Sequence, residues 1–262
     1  MAPPARTALR SLHDRPRTPH AADRPLIPRA ALFGNPSRSK AQISPDGRFL
    51  AWLAPEGGVL NIWVAPTEAP DQARPVTDDR LRGIRLYAWA YDGRHLVYLQ
   101  DTGGNEDYHL FAVDHAARVT RDLTPFAGVR ADIAGVSRVV RDRALVNLNQ
   151  RDPAAFDLVT VDLATGDLAG VAENRGGFAS FIADEHYQPG VALRYAPDGA
   201  LHLLRRAADG ADWCDWIAFS PEDARTSAPT HLSDDGTAAE IAASTMQVLA
   251  GSAALNLPRT RP

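Results

Sequence analysis

Four aspartates, Asp46, Asp92, Asp142 and Asp198, recur in turn-like surroundings, three of them directly before glycine. Repeated carboxylates suggest calcium, whose shell needs several oxygen ligands converging from one loop. Each turn here offers one carboxylate, so the aspartates read as structural. His109 and His115 have the even spacing of one strand face. His115 falls in a turn, however, and no third ligand accompanies the two, so no metal site is assigned. Cys214, the single cysteine, has no neighbouring base or metal-ligand spacing and reads as a small strand residue between Trp213 and Asp215. The glycine pairs in "TGGN" and "RGGF" lack the helix and lysine of a phosphate loop. Trp213 and Trp216 are expected to pack between structural units rather than to form an exposed surface. The residues therefore assign no catalytic, cofactor-binding or metal-binding position and no cofactor.

The turns matter for what they join. Asp92-Gly93 supplies the positive φ of a tight hairpin between "RLYAWAY" and "HLVYLQ". A looser loop, "DTGGNED", then leads to a third strand, "YHLFAVD", and "RDLTP" fits a short fourth. The same order recurs upstream as "AQISPDGRFLAWLAP", "LNIWVAP" and "ARPVTDD". It recurs downstream as "SRVVRDRALVNLN" with "FDLVTVDLATGDL", and again as "ALRYAPDGALHLLRR", "CDWIAFSPED" and "PTHLSDDG". The four aspartates are 46, 50 and 56 residues apart. From each to Ile62, Leu110, Leu158 and Trp216 in the third strands the distance is 16, 18, 16 and 18 residues. Even offsets keep those side chains on one strand face. Four strands per unit at a period near 40 to 50 residues mark an all-β chain and an incomplete β-propeller of about four four-stranded blades. A sandwich of sequential meanders would explain the strands but not the spacing. The four turns are expected to occupy equivalent hairpins.

Composition sets the boundaries. Of 262 residues 45% are hydrophobic, enough for a substantial core, and the formal net charge of −4 gives no basic field to attract nucleic acid or an anionic membrane. No apolar run reaches the roughly 20 residues of a membrane-spanning helix. Residues 1–25, rich in Arg and Pro and without an apolar stretch, read as a disordered tail. Blades are expected over about 26–80, 81–126, 127–175 and 176–236, followed by an atypical tail over 237–262. Of 28 basic residues only Lys40 is lysine, the bias of a coding sequence rich in G and C.

The segments "LIPRAALFGNPSRSKAQISPDGRFLAWLAP" and "YAWAYDGRHLVYLQDTGGNEDYHLFAVD…RDLTPF" resemble the N-terminal propeller of the prolyl oligopeptidase family of serine peptidases. Its acylaminoacyl-peptidase and dipeptidyl-peptidase-like branch is the nearest in pattern. The resemblance covers roughly residues 25 to 236; the third blade departs from it at Arg141-Asp142, where Asp-Gly is usual. It implies a propeller that caps an α/β-hydrolase domain and admits peptides but not folded proteins. Catalysis in the family belongs to the hydrolase domain and its G-x-S-x-G elbow. That motif is missing: "GVSRV" around Ser137 lacks the second glycine, and "AGSAA" around Ser252 lacks the pattern. Ser137 is expected in a strand of the third blade, and no histidine follows His231 to complete a Ser…Asp…His order. In dipeptidyl-releasing relatives, paired glutamates on the propeller side bind the substrate's amino terminus. Glu106 and Asp107 form an acidic pair, but their context is that of a solvated turn.

The expected function is that of a substrate-gating propeller portion of a serine peptidase, inactive alone, cytoplasmic, and meeting peptide substrates only in a full-length context. The competing expectation is a self-sufficient propeller that serves as a binding scaffold for a protein or peptide partner. The Ala-rich stretch after "HLSDDG" has no further Asp-Gly turn. A frameshift or truncation near residue 236 is therefore expected, with poor packing beyond it and a short helix over "AAEIAASTMQVLA".

Overall fold

A computed structural model describes residues 27–33, 36–206, 212–233, 238–243 and 251–256. The tail expected over residues 1–25 lies outside them. Two compact units are present, one up to Pro36 and one from Ser37 onward. In the first, Arg29–Phe33 forms a short helix, α1.

The second unit is all-β and is built from consecutive antiparallel meanders. β1 (Ser39–Ile43), β2 (Phe49–Glu56), β3 (Val59–Pro66) and β4 (Arg74–Pro75) form the first sheet. β5 (Tyr87–Trp89), β6 (His95–Gln100), β7 (His109–Asp114) and β8 (Val119–Asp122) form the second. β9 (Ala131–Val136), β10 (Arg143–Asp152), β11 (Ala155–Asp162) and β12 (Leu168–Ala172) form the third. β13 (Ser180–Ala183), β14 (Pro189–Tyr195), β15 (Leu201–Arg206) and β16 (Trp213–Phe219) form the fourth. β17 (Ala228–Leu232), β18 (Ala238–Ala243) and β19 (Gly251–Asn256) form a three-stranded fifth. Four-stranded meanders repeated in chain order are the blades of a β-propeller.

Period-2 alternation gives each strand two working faces. Leu96 faces a core shared with Leu53, Ile62 and Val64 of the first sheet, whereas its neighbour Val97 joins Ala144, Val146 and Val161 of the third. Leu145, next to Val146, packs with Phe178, Phe181 and Leu204 of the fourth. Leu203, next to Leu204, packs with Leu232, Ala239 and Ile241 of the fifth. Four cores thus lie between successive sheets. Ile62, Leu110 and Leu158 are 0% exposed, each contributing roughly 1.5–3 kcal/mol by burial. Polar bonds cross the same junctions. The Tyr87 hydroxyl donates to the Lys40 carbonyl at 2.5 Å, and the Tyr187 hydroxyl to the Arg143 carbonyl at 2.8 Å.

Four details differ from the sequence expectation. Asp46, Asp92 and Asp142 do precede the second strand of their sheets, but Asp198 lies between β14 and β15, the second and third strands of the fourth. The equivalent hairpin there holds Asp184, whose carboxylate accepts the His186 and Gln188 N–H groups. It carries no glycine; Tyr187 takes the left-handed conformation with φ 62°. Trp216 consequently sits on a fourth strand, not a third. "PTHLSDDG" does not close the fourth sheet, because β17 pairs with β18 in the fifth. Nor is the stretch from Ala238 to Ala243 helical: it is strand β18, with Ala239 at 0% and Ile241 at 3% exposure. Pairing with β17 and burial against the fourth sheet override the helix preference of alanine. The remainder of the expected helix, from residue 244, lies outside the described residues.

Candidate functional site

The turn aspartates do local work. Asp92 accepts the N–H groups of Arg94 and His95 at 2.9 Å each and lies 2.5 Å from the His95 ring. Burial works against its ionisation, but these bonds outweigh it and hold the carboxyl below its ordinary value. Asp46 is bonded by the Ser44 hydroxyl at 2.6 Å and the Arg48 N–H at 3.1 Å, and its pKa is lowered chiefly by the first. Such bonds are those of Asx turns, which set the hairpin. Among the described residues no three His, Cys, Asp or Glu side chains converge as on a metal ion.

Ser137 lies just past β9, not within a strand. Its hydroxyl donates to the Glu185 carbonyl at 2.5 Å and accepts the Val139 and Val140 N–H groups at 2.9 and 3.0 Å. The proton a general base would remove is already held by a carbonyl, so the group lacks the activation a nucleophile needs. Ser252 lies in β19.

Glu106 and Asp107 occupy the loop between β6 and β7. The Glu106 N–H bonds Asp101 at 3.2 Å, the Asp107 N–H bonds Asn105 at 3.2 Å, and Glu106 is left-handed with φ 62°. The Asp107 carboxylate accepts the Asn105 side-chain N–H at 3.2 Å within the same loop. His109 lies 2.8 Å from Asp122, while His115 is buried between Phe49 and Trp89 at ring distances of 4.5 and 5.4 Å. Burial pushes the His115 pKa down. The two histidines therefore serve different surroundings. Trp213 packs on Phe178 and Phe181 at the third junction, and Trp216 joins the core of the fourth. Cys214 is exposed.

Sequence reasoning missed a second set of repeated groups. Thr77 Oγ1 accepts the Ile62 N–H at 2.9 Å, and Thr124 Oγ1 accepts the Leu110 N–H at 2.8 Å. The signal was available in "PVT" and "DLT", each just after a closing strand. These hydroxyls, like the aspartates, build blades.

No family model matches the chain. Dipeptidyl aminopeptidase BIII of Pseudoxanthomonas mexicana is 47% identical over 222 residues, 83% of this chain and 32% of that protein. The chain is related to the propeller portion of the prolyl oligopeptidase family. Dipeptidyl peptidase family member 6 of Caenorhabditis elegans is 26% identical over 227 residues, 80% of this chain and 30% of that protein. This propeller thus spans about a third of the length of the relatives it matches. Oligopeptidase B from Leishmania major superposes with a TM-score of 0.56 at 12% identity, covering 83% of this chain and 32% of that one. Prolyl oligopeptidase B from Galerina marginata does so with a TM-score of 0.50 at 11% identity, covering 84% and 39%. These two likenesses concern the propeller fold alone. Among the described residues no helix is long and apolar enough to cross a membrane.

Proposed function

We propose that these blades are a substrate-gating portion of a dipeptidyl-peptidase-like serine peptidase, with hydrolysis carried out by a hydrolase domain outside the 262 residues. The observation that carries this reading is the 47% identity to dipeptidyl aminopeptidase BIII over 222 residues. It agrees with a chain whose Ser137 hydroxyl is committed to a backbone carbonyl and whose turn aspartates hold hairpins. In this role the sheets restrict which chains reach the hydrolase, and peptides pass while folded proteins do not.

A hybrid enzyme tests the proposal. The matched stretch replaces its counterpart in dipeptidyl aminopeptidase BIII, and release from a short chromogenic peptide is compared with digestion of a folded protein. The hybrid should cleave the peptide and spare the protein. Digestion of both at similar rates would refute the gating role.

A further inference from the structure

A cavity of about 190 Å³ lies between the second and third sheets. Strand register builds one wall of it. Across β6, β7 and β8, His95 stands opposite Asp114, Asp114 opposite Val119, and Ala112 opposite Arg121. Opposed residues of neighbouring strands share a face and lie close together. This face meets the third sheet, since Ala112 packs with Leu163 in the core of that junction. Ala117 borders the cavity from the turn before β8, and Leu163 and Ala164 border it just past β11. Ala112, Ala117 and Ala164 leave the space that longer side chains would fill. With Val119 and Leu163 they make up the apolar lining; Arg94, His95, Asp114 and Arg121 make up the rest.

The charges on that wall do not cancel. Asp114 is fully engaged: Oδ1 accepts the Ala116 and Ala117 N–H groups at 2.9 Å each, and Oδ2 accepts the Arg94 Nε–H at 2.6 Å. That pair uses only Nε of Arg94 and leaves its two terminal nitrogens for other acceptors. Arg121 donates through one terminal nitrogen to the Ala164 carbonyl, which holds its guanidinium across the sheet junction. Among the described residues Arg121 makes no ion pair. His95 Nδ1 lies 2.5 Å from Asp92, which does not border the cavity, so Nε2 is the ring nitrogen left to meet a ligand. Two guanidinium groups therefore face one carboxylate, and the fork of a guanidinium matches the two oxygens of a second. Drug-sized ligands occupy pockets of about 300–1,000 Å³, so this site takes something smaller.

We infer that this cavity binds a small carboxylate with a short aliphatic chain, its oxygens toward Arg121 and Arg94 and its chain against Val119 and Leu163. The site does not depend on the gating role proposed above.

Ligand-detected NMR of the full chain with isovalerate tests the inference. Isovaleramide keeps the aliphatic chain without the charge, and acetate keeps the charge without the chain. Isovalerate should bind at least about 10-fold more tightly than isovaleramide, because bonds to charged groups are the stronger. It should also bind more tightly than acetate. Arg121→Gln keeps an N–H for the Ala164 carbonyl and should lower isovalerate affinity about 10-fold while leaving isovaleramide unchanged. Val119→Ser, at a residue 62% exposed, should narrow the gap between isovalerate and acetate. Circular dichroism checks both variants; should either misfold, the comparison of ligands on the parent chain decides. Displacement of isovalerate by equimolar inorganic phosphate would reveal a general anion site and overturn the stated preference. Equal affinities for isovalerate and isovaleramide, no binding of either, or an Arg121→Gln chain that binds as the parent does would overturn the inference.

Discussion

Thr124→Val exchanges a hydroxyl for a methyl group of nearly the same shape. Thr124 is 1% exposed, and its Oγ1 accepts the N–H of Leu110, itself 0% exposed, at 2.8 Å. Valine cannot accept that bond, and water does not reach the site. A buried donor left without a partner costs about 1–3 kcal/mol. Taking about 2 kcal/mol, the folded-to-unfolded ratio falls about 30-fold, and the melting temperature of a chain this size drops by about 4–8 °C. Thr124→Ser is the control: it keeps the acceptor and removes one methyl group, worth about 0.8 kcal/mol. Hydrophobicity alone would rank valine above serine, so the two accounts predict opposite orders. Urea unfolding followed by tryptophan fluorescence reads both variants. Thr77→Val should cost at least as much, because the Thr77 hydroxyl accepts the Ile62 N–H at 2.9 Å and donates to Asn61 Oδ1 at 2.9 Å. If serine destabilises as much as valine, or valine stays within about 0.5 kcal/mol of the parent, the hydroxyl does not carry the stability assigned to it.

Gly83→Ala should cost about 1 kcal/mol more than Gly47→Ala. Both glycines are left-handed, at φ 77° and 74°, but only at Gly83 would a Cβ come 3.1 Å from the Leu60 nitrogen. Thermal melts of the two variants give the difference, and equal losses would contradict it. Stability should fall in two steps as pH is lowered. Burial lowers the His115 pKa, so below the ordinary value of 6.5 the unfolded chain takes up the proton more readily and stability is lost. His115→Gln should remove that contribution, and an unchanged slope between pH 7.5 and 5.5 would count against it. The depressed pKa values of Asp92, Asp114, Asp157 and Asp162 place a second loss below the ordinary 3.8, since their contribution is complete above it. The purified chain should neither hydrolyse dipeptidyl p-nitroanilides nor react with a fluorophosphonate; stoichiometric labelling abolished by Ser137→Ala would disprove this.

The first three sheets were legible because their turns announce themselves. Asp46-Gly47 and Asp92-Gly93 combine a side-chain acceptor with a residue free to take positive φ, and Asp142 keeps the place without the glycine. The fourth sheet was misread by one hairpin because Tyr187, not glycine, adopts the left-handed conformation there. The next Asp-Gly pair, at Asp198, belongs to the following hairpin. That slip carried β17 into the wrong sheet. It also hid the place of "SDDG", whose Asp235-Gly236 lies in sequence between β17 and β18, where earlier sheets have their first turn. Ala238–Ala243 reads as helix from composition alone, and only its partner strand shows otherwise.

The four shared cores make the second unit a series of springs joined end to end. Under end-to-end tension each junction of such a series carries the same force, so the weakest yields first; Ile62 and Leu96 share the first core and belong to none of the others. Sheets should therefore peel off singly, giving a force trace of steps rather than one rupture. Among the described residues the second, third and fourth sheets each share two of these cores and the first and fifth share one. A substitution at one junction then weakens one step of the trace and leaves the others at their original height.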